Sequence, residues 1–466
     1  MSTTKAKLRQ YYAAISATIP SLCFGLAVTW TSPLASRLQG QDPSTSYEPL
    51  ERPLTGTELS WVSSLMPLGA ILGSVMVGFA MDRFGRKKTL LAFGGIPCVV
   101  GWIVILNATS VYMLYTARLL IGVSSGVALL VGPTYIAEFA SPSLRGSLCA
   151  MFQIMLNLGV MVPYCIGPYT SYFVLAGVSL LFPLAFLATF LFLPETPFYL
   201  ISKQELEEAA KSLAWFTGEK QSPDLSKQRD IISSCVHEAS SVSLVDSFKE
   251  LFSSRGNRRA LMVVSGLMFA FQFCGINAIL FNLETVFRGS SKTNKPWLGP
   301  SESAIVTGVV QNVSTWVAAA LVDKVGRRPL LLVSTALATV GIVGLGVQSF
   351  LEENKFSVAS DLTWMPVACL MLFVSAFCVG LGPLSWIVMS ELFTGGAKSA
   401  ASLLGGGFSW LLAFVVTLTF SPMEEYLHFY GTYWVYSVCC ALGFFFTAVM
   451  LPETKCKTLE NIHEEL

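Results

Sequence analysis

The stretch 322-VDKVGRRPLLL-332 packs four charged side chains into the six positions 323–328, directly after the charge-free run 303–322. A second stretch, 81-MDRFGRKKTLL-91, has the same form: acid, base, any residue, Gly, base, base, then an apolar run. Asp82 and Asp323 are 241 residues apart. Following each knot forward finds the same landmarks in the same order. Asp82 is followed by Glu138, Arg145 and a "PET" at Pro194, and Asp323 by Glu391, Lys398 and a "PET" at Pro452. The intervals are 56 and 56 residues in the first series and 68 and 61 in the second. A shared series of this length is the mark of a tandem duplication.

The segments between the landmarks are apolar. No Asp, Glu, Lys or Arg occurs in 10–36, 59–81, 89–117, 119–137, 146–194, 260–283, 303–322, 329–351, 362–390, 399–423 or 429–452. Most of these runs reach the roughly 20 residues with which a helix crosses about 30 Å of hydrocarbon. The 49-residue run 146–194 is too long for one helix and breaks at Gly167 and Pro168, so twelve spans are expected. The whole chain agrees: 53% of its 466 residues are hydrophobic, 13% are charged and the mean hydropathy is +0.61. Soluble proteins carry about 25% charged residues. The expected fold is an all-α membrane protein, with twelve transmembrane helices in two parallel six-helix repeats. The expected boundaries are a cytoplasmic N-terminus 1–9, a bundle 10–194, a linker 195–259, a bundle 260–452 and a tail 453–466. Six is even, so both copies enter the membrane in one sense, and the interface of such repeats is the usual place for a transport pathway.

Charge sets the expected orientation. Lys5, Lys7, Arg9, Arg83, Arg86, Lys87, Lys88, Arg145, Lys324, Arg327, Arg328 and Lys398 fall in alternate short loops, while Glu48, Glu51, Glu352, Glu353, Glu424 and Glu425 fall in the others. This positive-inside bias puts both termini in the cytoplasm, most simply at the plasma membrane. The run 10–36 is too long for a cleavable signal and reads as the first span. A net charge of +1 implies no nucleic-acid partner; the lipid bilayer is the expected one. Of eleven cysteines, nine fall within spans and Cys235 and Cys456 in cytoplasmic segments, so no structural disulfide is expected. The sequons at Asn107 and Asn312 read as chance matches. In the linker, Ser202 and Glu205 form a capping box and Gly218 a stop, predicting a helix between them; a second amphipathic helix is expected from Ser243, with Asp246 near its start.

Together the knots place Gly85 and Gly326 in tight cytoplasmic turns, opposite the pairs Glu138/Arg145 and Glu391/Lys398. Basic residues alone would suffice for topology. An acid at the same place in each knot, and another seven residues before a base, suggest ion pairs closing that end of the bundle.

The chain resembles the sugar porters of the major facilitator superfamily, the glucose-transporter-like family. The matching motifs are "DRFGRKK", "AR(x3)GVSSG(x6)PTYIAEFASPSLRG" from Ala117, "PETP", "DKVGRRP", "GPLSW" and "PETKCKTLE", spread over nearly the whole chain. The resemblance implies the major facilitator fold, alternating access and a neutral sugar as substrate. It also implies that Arg86, Glu138, Arg145, Glu195, Asp323, Arg327, Glu391, Lys398 and Glu453 form a cytoplasmic latch holding the outward-facing state. Phe198 stands where the family usually has Arg, and Lys398 where it usually has Arg; Lys lacks the bidentate fork.

A sugar needs neutral amides for its hydroxyls and an aromatic face for its C–H surface. Among the few amides inside spans Gln153, Gln272, Asn277, Asn282 and Gln311 stand out, with Trp386 and Trp410 as aromatics. Any one of them could serve equally as scaffold. The resemblance matches Gln153 to the fifth-span Gln, "FQFCGINA" to the seventh-span motif at Gln272 and Asn277, and Trp386 and Trp410 to the tryptophans of spans ten and eleven. The departures are Phe271 for Gln, Asn282 for Tyr, Gln311 for Asn, Ser385 for Pro and Ser409 for the Asn before Trp410. These leave the sugar open between a hexose and a small disaccharide such as trehalose. Proton-driven sugar porters carry Asp shortly after the first-span "FG"; here that place is Ala27, which points to facilitated diffusion by a uniporter. The alternatives are a proton-coupled sugar or polyol symporter and a non-transporting sugar sensor. No motif suggests an enzyme, a metal site or a cofactor.

Overall fold

A computed structural model of the chain describes residues 4–40, 50–141, 143–218, 244–289, 297–393 and 396–453. The linker residues 219–243 with Cys235 and Ser243, the tail beyond Glu453 with Cys456, and the side chain of Asp323 lie outside the described set. Among the described residues every element is helical. Eleven helices are long and apolar enough to cross a membrane. In order they are Thr4–Leu38, Gly56–Phe84, Arg86–Leu106, Val111–Phe139, Arg145–Tyr169, Tyr172–Phe190, Arg255–Phe281, Pro300–Val322, Arg327–Glu353, Met365–Leu392 and Ala397–Met450. The last is 54 residues long and breaks at His428, whose φ of 59° is left-handed. At 1.5 Å per residue it would run about 80 Å, over twice the hydrocarbon thickness. The break divides it into the eleventh and twelfth spans.

The chain forms two compact units. The first holds 1–27, 65–160 and 173–243. Its helices cross at small residues. A Cβ at Gly69 would fall on the Leu119 carbonyl, one at Gly122 on the Met66 carbonyl, and one at Gly126 on the Ala70 carbonyl. Spans two and four therefore touch backbone to backbone, the close approach that small residues four apart permit in lipid. The core of this unit gathers Tyr135, Phe139, Phe186, Phe190, Leu193 and Phe216.

The second unit holds 28–64, 161–172 and 244–466, so the far ends of spans one, two and five group with the second half of the chain. Hydrogen bonds account for this grouping. Thr31 Oγ1 donates to the Phe281 carbonyl at 3.0 Å and Tyr164 Oη to the Leu280 carbonyl at 2.8 Å. The Glu284 amide donates to Ser32 Oγ at 3.0 Å, and Ser60 Oγ donates to Ser421 Oγ at 2.7 Å. Spans seven and ten are broken at Gly275 and Gly380. At the second break Ser334 Oγ accepts the Leu381 amide at 2.8 Å and donates to the Ala376 carbonyl at 2.7 Å. Backbone groups that the bend frees are thus satisfied inside the protein, as lipid requires.

The linker helices differ from expectation at one end. The first runs Leu206–Thr217 and stops at Gly218, with φ of 75°, as expected. It does not start from a Ser202 cap. Ser202 closes the preceding helix Pro197–Ser202 and its hydroxyl donates to the Tyr199 carbonyl, because Thr196 and Pro197 open a separate turn after the "PET". The second helix runs Leu244–Ser253 with Asp246 in its first turn.

Candidate substrate site and charged turns

Each charged knot resolves into one construction, built twice. In the first unit Gly85 has φ of 88°, and the Arg86–Thr89 helix starts directly after it. The amides of Arg86 and Lys87 donate to the Glu195 carboxylate at 3.0–3.1 Å. The Arg86 Nε donates to Glu138 at 2.9 Å, and Thr196 Oγ1 donates to the other Glu138 oxygen at 2.5 Å. In the second unit Gly326 has φ of 104°, and the amides of Arg327 and Arg328 donate to Glu453 at 3.0 and 3.1 Å. The Arg327 guanidinium reaches Glu391 at 2.9 Å. A helix start has amides without intrahelical acceptors. The "PET" glutamate supplies that acceptor from another part of the chain, and its charge suits the positive helix end. Glycine is required twice over: φ is positive, and a Cβ at Gly326 would lie 2.9 Å from Glu453 Oε2. At Gly85 the same atom would run into Glu195.

Of the nine residues assigned to the latch, these two clusters bring together six: Arg86, Glu138 and Glu195 in one, Arg327, Glu391 and Glu453 in the other. Arg145 is exposed and donates to the Ala140 carbonyl at 3.4 Å, and Lys398 is exposed at the start of the eleventh span. Asp323 lies at the end of the eighth-span helix. Tyr199 braces the first knot by donating to the Arg83 carbonyl at 3.0 Å; burial, then the Glu195 carboxylate, raises its phenol, which keeps the donor proton in place.

The amides of the candidate site fall in both units. In the first, Gln153 Nε2 donates to Asn157 Oδ1 at 3.1 Å. Asn157 was not singled out in the sequence, although it lies four residues on from Gln153 and so on the same helix face. In the second unit Gln272 is only 2% exposed; its Nε2 donates to Ser409 Oγ at 3.0 Å and its Oε1 accepts Asn277 Nδ2 at 2.5 Å. The positive φ at Gly275 lets Gln272 and Asn277 meet across the break. The Trp386 indole is 36% exposed and meets the Phe271 ring edge-on at 6.3 Å. Trp410 is half-buried one residue after Ser409. Two expected residues are held differently. Asn282 donates back to the Ala278 carbonyl of its own turn at 3.0 Å, and the Gln311 Oε1 is buried without a hydrogen-bond partner.

A second residue missed in the sequence is Arg118. It lies inside the fourth-span helix and is fully buried, where its Nη1 donates to the Ala27 carbonyl at 2.6 Å. Its position as the single charge between the runs 89–117 and 119–137 was the available signal.

Comparison with known proteins bears on the family and the fold. The family model described as "Sugar (and other) transporter" matches residues 14–466. A facilitated trehalose transporter, Tret1 of Bombyx mori, is 32% identical over 98% of this chain and 86% of its own. The Tret1 of Polypedilum vanderplanki is 31% identical over 98% and 88%. The partially occluded inward-open structure of the xylose transporter XylE from E. coli matches with a TM-score of 0.76, at 23% identity over 97% of this chain and 99% of that one. The chain is thus a multi-pass membrane transporter rather than an enzyme, and it belongs to the sugar transporter family of the major facilitator superfamily.

Proposed function

We propose that the protein carries a small neutral sugar, a hexose or a disaccharide such as trehalose, down its gradient by alternating access. We place it in the plasma membrane with both termini cytoplasmic. The observation that carries this reading is the uncharged network Gln272–Asn277–Ser409, in the same unit as the half-open indole of Trp386 that meets Phe271. Amides and hydroxyls both donate and accept, which suits hydroxyl groups, and the indole suits a C–H face. Gln153 with Asn157, Trp410 and the free Gln311 Oε1 extend the same chemistry, and we assign them to substrate too; Asn282 is assigned with them by its place directly after the seventh span. The facilitative mode is supported by Arg118, which bonds the Ala27 carbonyl where proton-driven porters carry an acid. The names of the insect relatives agree with this reading.

The test is uptake of labelled mono- and disaccharides into liposomes holding the purified protein, with and without an inward proton gradient. Uptake that equilibrates and ignores the gradient is expected. Accumulation driven by the gradient would make the protein a symporter. Saturable binding with no flux would make it a sensor.

A further inference from the structure

The second unit's share of the site has two chemically distinct faces, and the second of them bears on which sugar fits the transport reading. The polar face is Gln272, Asn277 and Ser409, already hydrogen-bonded to one another. The other face is aromatic: Phe271 lies edge-on to Trp386, with an interplanar angle of 82°, and also meets Phe377 at 5.2 Å. Beside the indole the eleventh span presents Gly406. A Cβ there would approach a single atom, Cζ3 of Trp386, at 4.0 Å. The preceding glycine is different, since a Cβ at Gly405 would lie 2.8 Å from Met389 Sδ. A Cβ at Gly407 would meet nothing within 4 Å, so of the three glycines only Gly406 has the indole within a Cβ's reach.

One pyranose ring satisfies its rim hydroxyls on an amide face. A ring attached to it through a glycosidic bond brings a second C–H face, which a flat apolar corner receives without further polar groups. Phe271 supplies such a corner in place of an amide. We propose that Phe271, Trp386 and Gly406 form a stacking subsite for the second ring of a disaccharide, with the missing side chain of Gly406 setting the room over the indole. Gly406 is a specificity-determining residue on this view.

The experiment is counterflow of labelled trehalose and labelled glucose in liposomes, comparing the full chain with Gly406→Val, Gly406→Ala, Phe271→Gln and Gly407→Val. Gly406→Val is expected to lower the trehalose-to-glucose ratio about tenfold, the scale on which one or two methyl groups discriminate. Gly406→Ala and Phe271→Gln should lower it by less. Gly407→Val, at a position where a Cβ meets nothing within 4 Å, controls for stiffening of the helix and should keep the starting ratio. If Gly406→Val is not monodisperse in detergent, Gly406→Ala and Phe271→Gln decide. Ratios that stay within about twofold in the Gly406 variants, or an equal fall in Gly407→Val, overturn the subsite. An unmodified protein that carries glucose but not trehalose also overturns it and leaves the transport reading intact. One that carries neither overturns the transport reading.

Discussion

Single residues carry the recognition chemistry, and their environments differ enough to rank them. Gln272 is held by two neighbours and Trp386 by one ring edge. Trp386→Leu keeps an apolar side chain but removes the flat face. Gln153→Leu removes the donor to the Oδ1 of the buried Asn157. Each is expected to reduce sugar uptake at least about tenfold, with cell-surface amount unchanged by biotinylation. Uptake at the original level in both variants would remove these residues from the site. At this scale the sequence was readable where a motif surrounded the residue and silent where it did not. Gln272 and Asn277 were singled out because both belong to the motif "FQFCGINA". Arg118 was not, because its partner, the Ala27 carbonyl, meets it only through the fold, and Asn157 was passed over although its four-residue spacing from Gln153 was local.

Helices set the distances at which those residues work. The first linker helix is tied to the first unit by Phe216, whose ring stacks on Phe139 at 4.5 Å and an angle of 8°. Gln10 Nε2 donates to the Phe216 carbonyl at 3.2 Å, and Arg9 donates to the Trp215 carbonyl at 3.1 Å. Burying a phenylalanine to this degree is worth about 3 kcal/mol against alanine. Phe216→Ala should therefore release this helix while the spans stay folded. Faster amide hydrogen exchange confined to 206–217 is the expected readout, and unchanged exchange would show that the aromatic stack is dispensable. The amphipathic period in the sequence predicted this helix, and Gly218 predicted its end. Its start was misread because Ser202 was already engaged by the turn before it.

For the whole molecule the question is which end of the pathway is held shut, and by what. Arg86 with Glu138 and Glu195 hold the charged turn of the first unit, and Arg327 with Glu391 and Glu453 hold that of the second. Within the second unit, Tyr164 and Thr31 bond the far end of the seventh span. If the charged clusters act as the latch that we assign to them, the two sets oppose each other in one equilibrium. Arg327→Ala should then raise labelling of cytoplasmic cysteine probes, and Tyr164→Phe should lower it. Each shift corresponds to about 1 kcal/mol, or a several-fold change in population. Equal labelling in both variants would refute the opposition. The sequence by itself determined that twelve apolar helices arise from a doubled unit, because hydrophobic length and charged turns are properties of neighbouring residues in the chain. Tertiary structure alone decided that each "PET" glutamate caps the helix of a distant knot, and that Gly406 comes to lie beside an indole. Both depend on side chains meeting across 100 residues or more of sequence or from separate spans, and no local pattern encodes such a meeting.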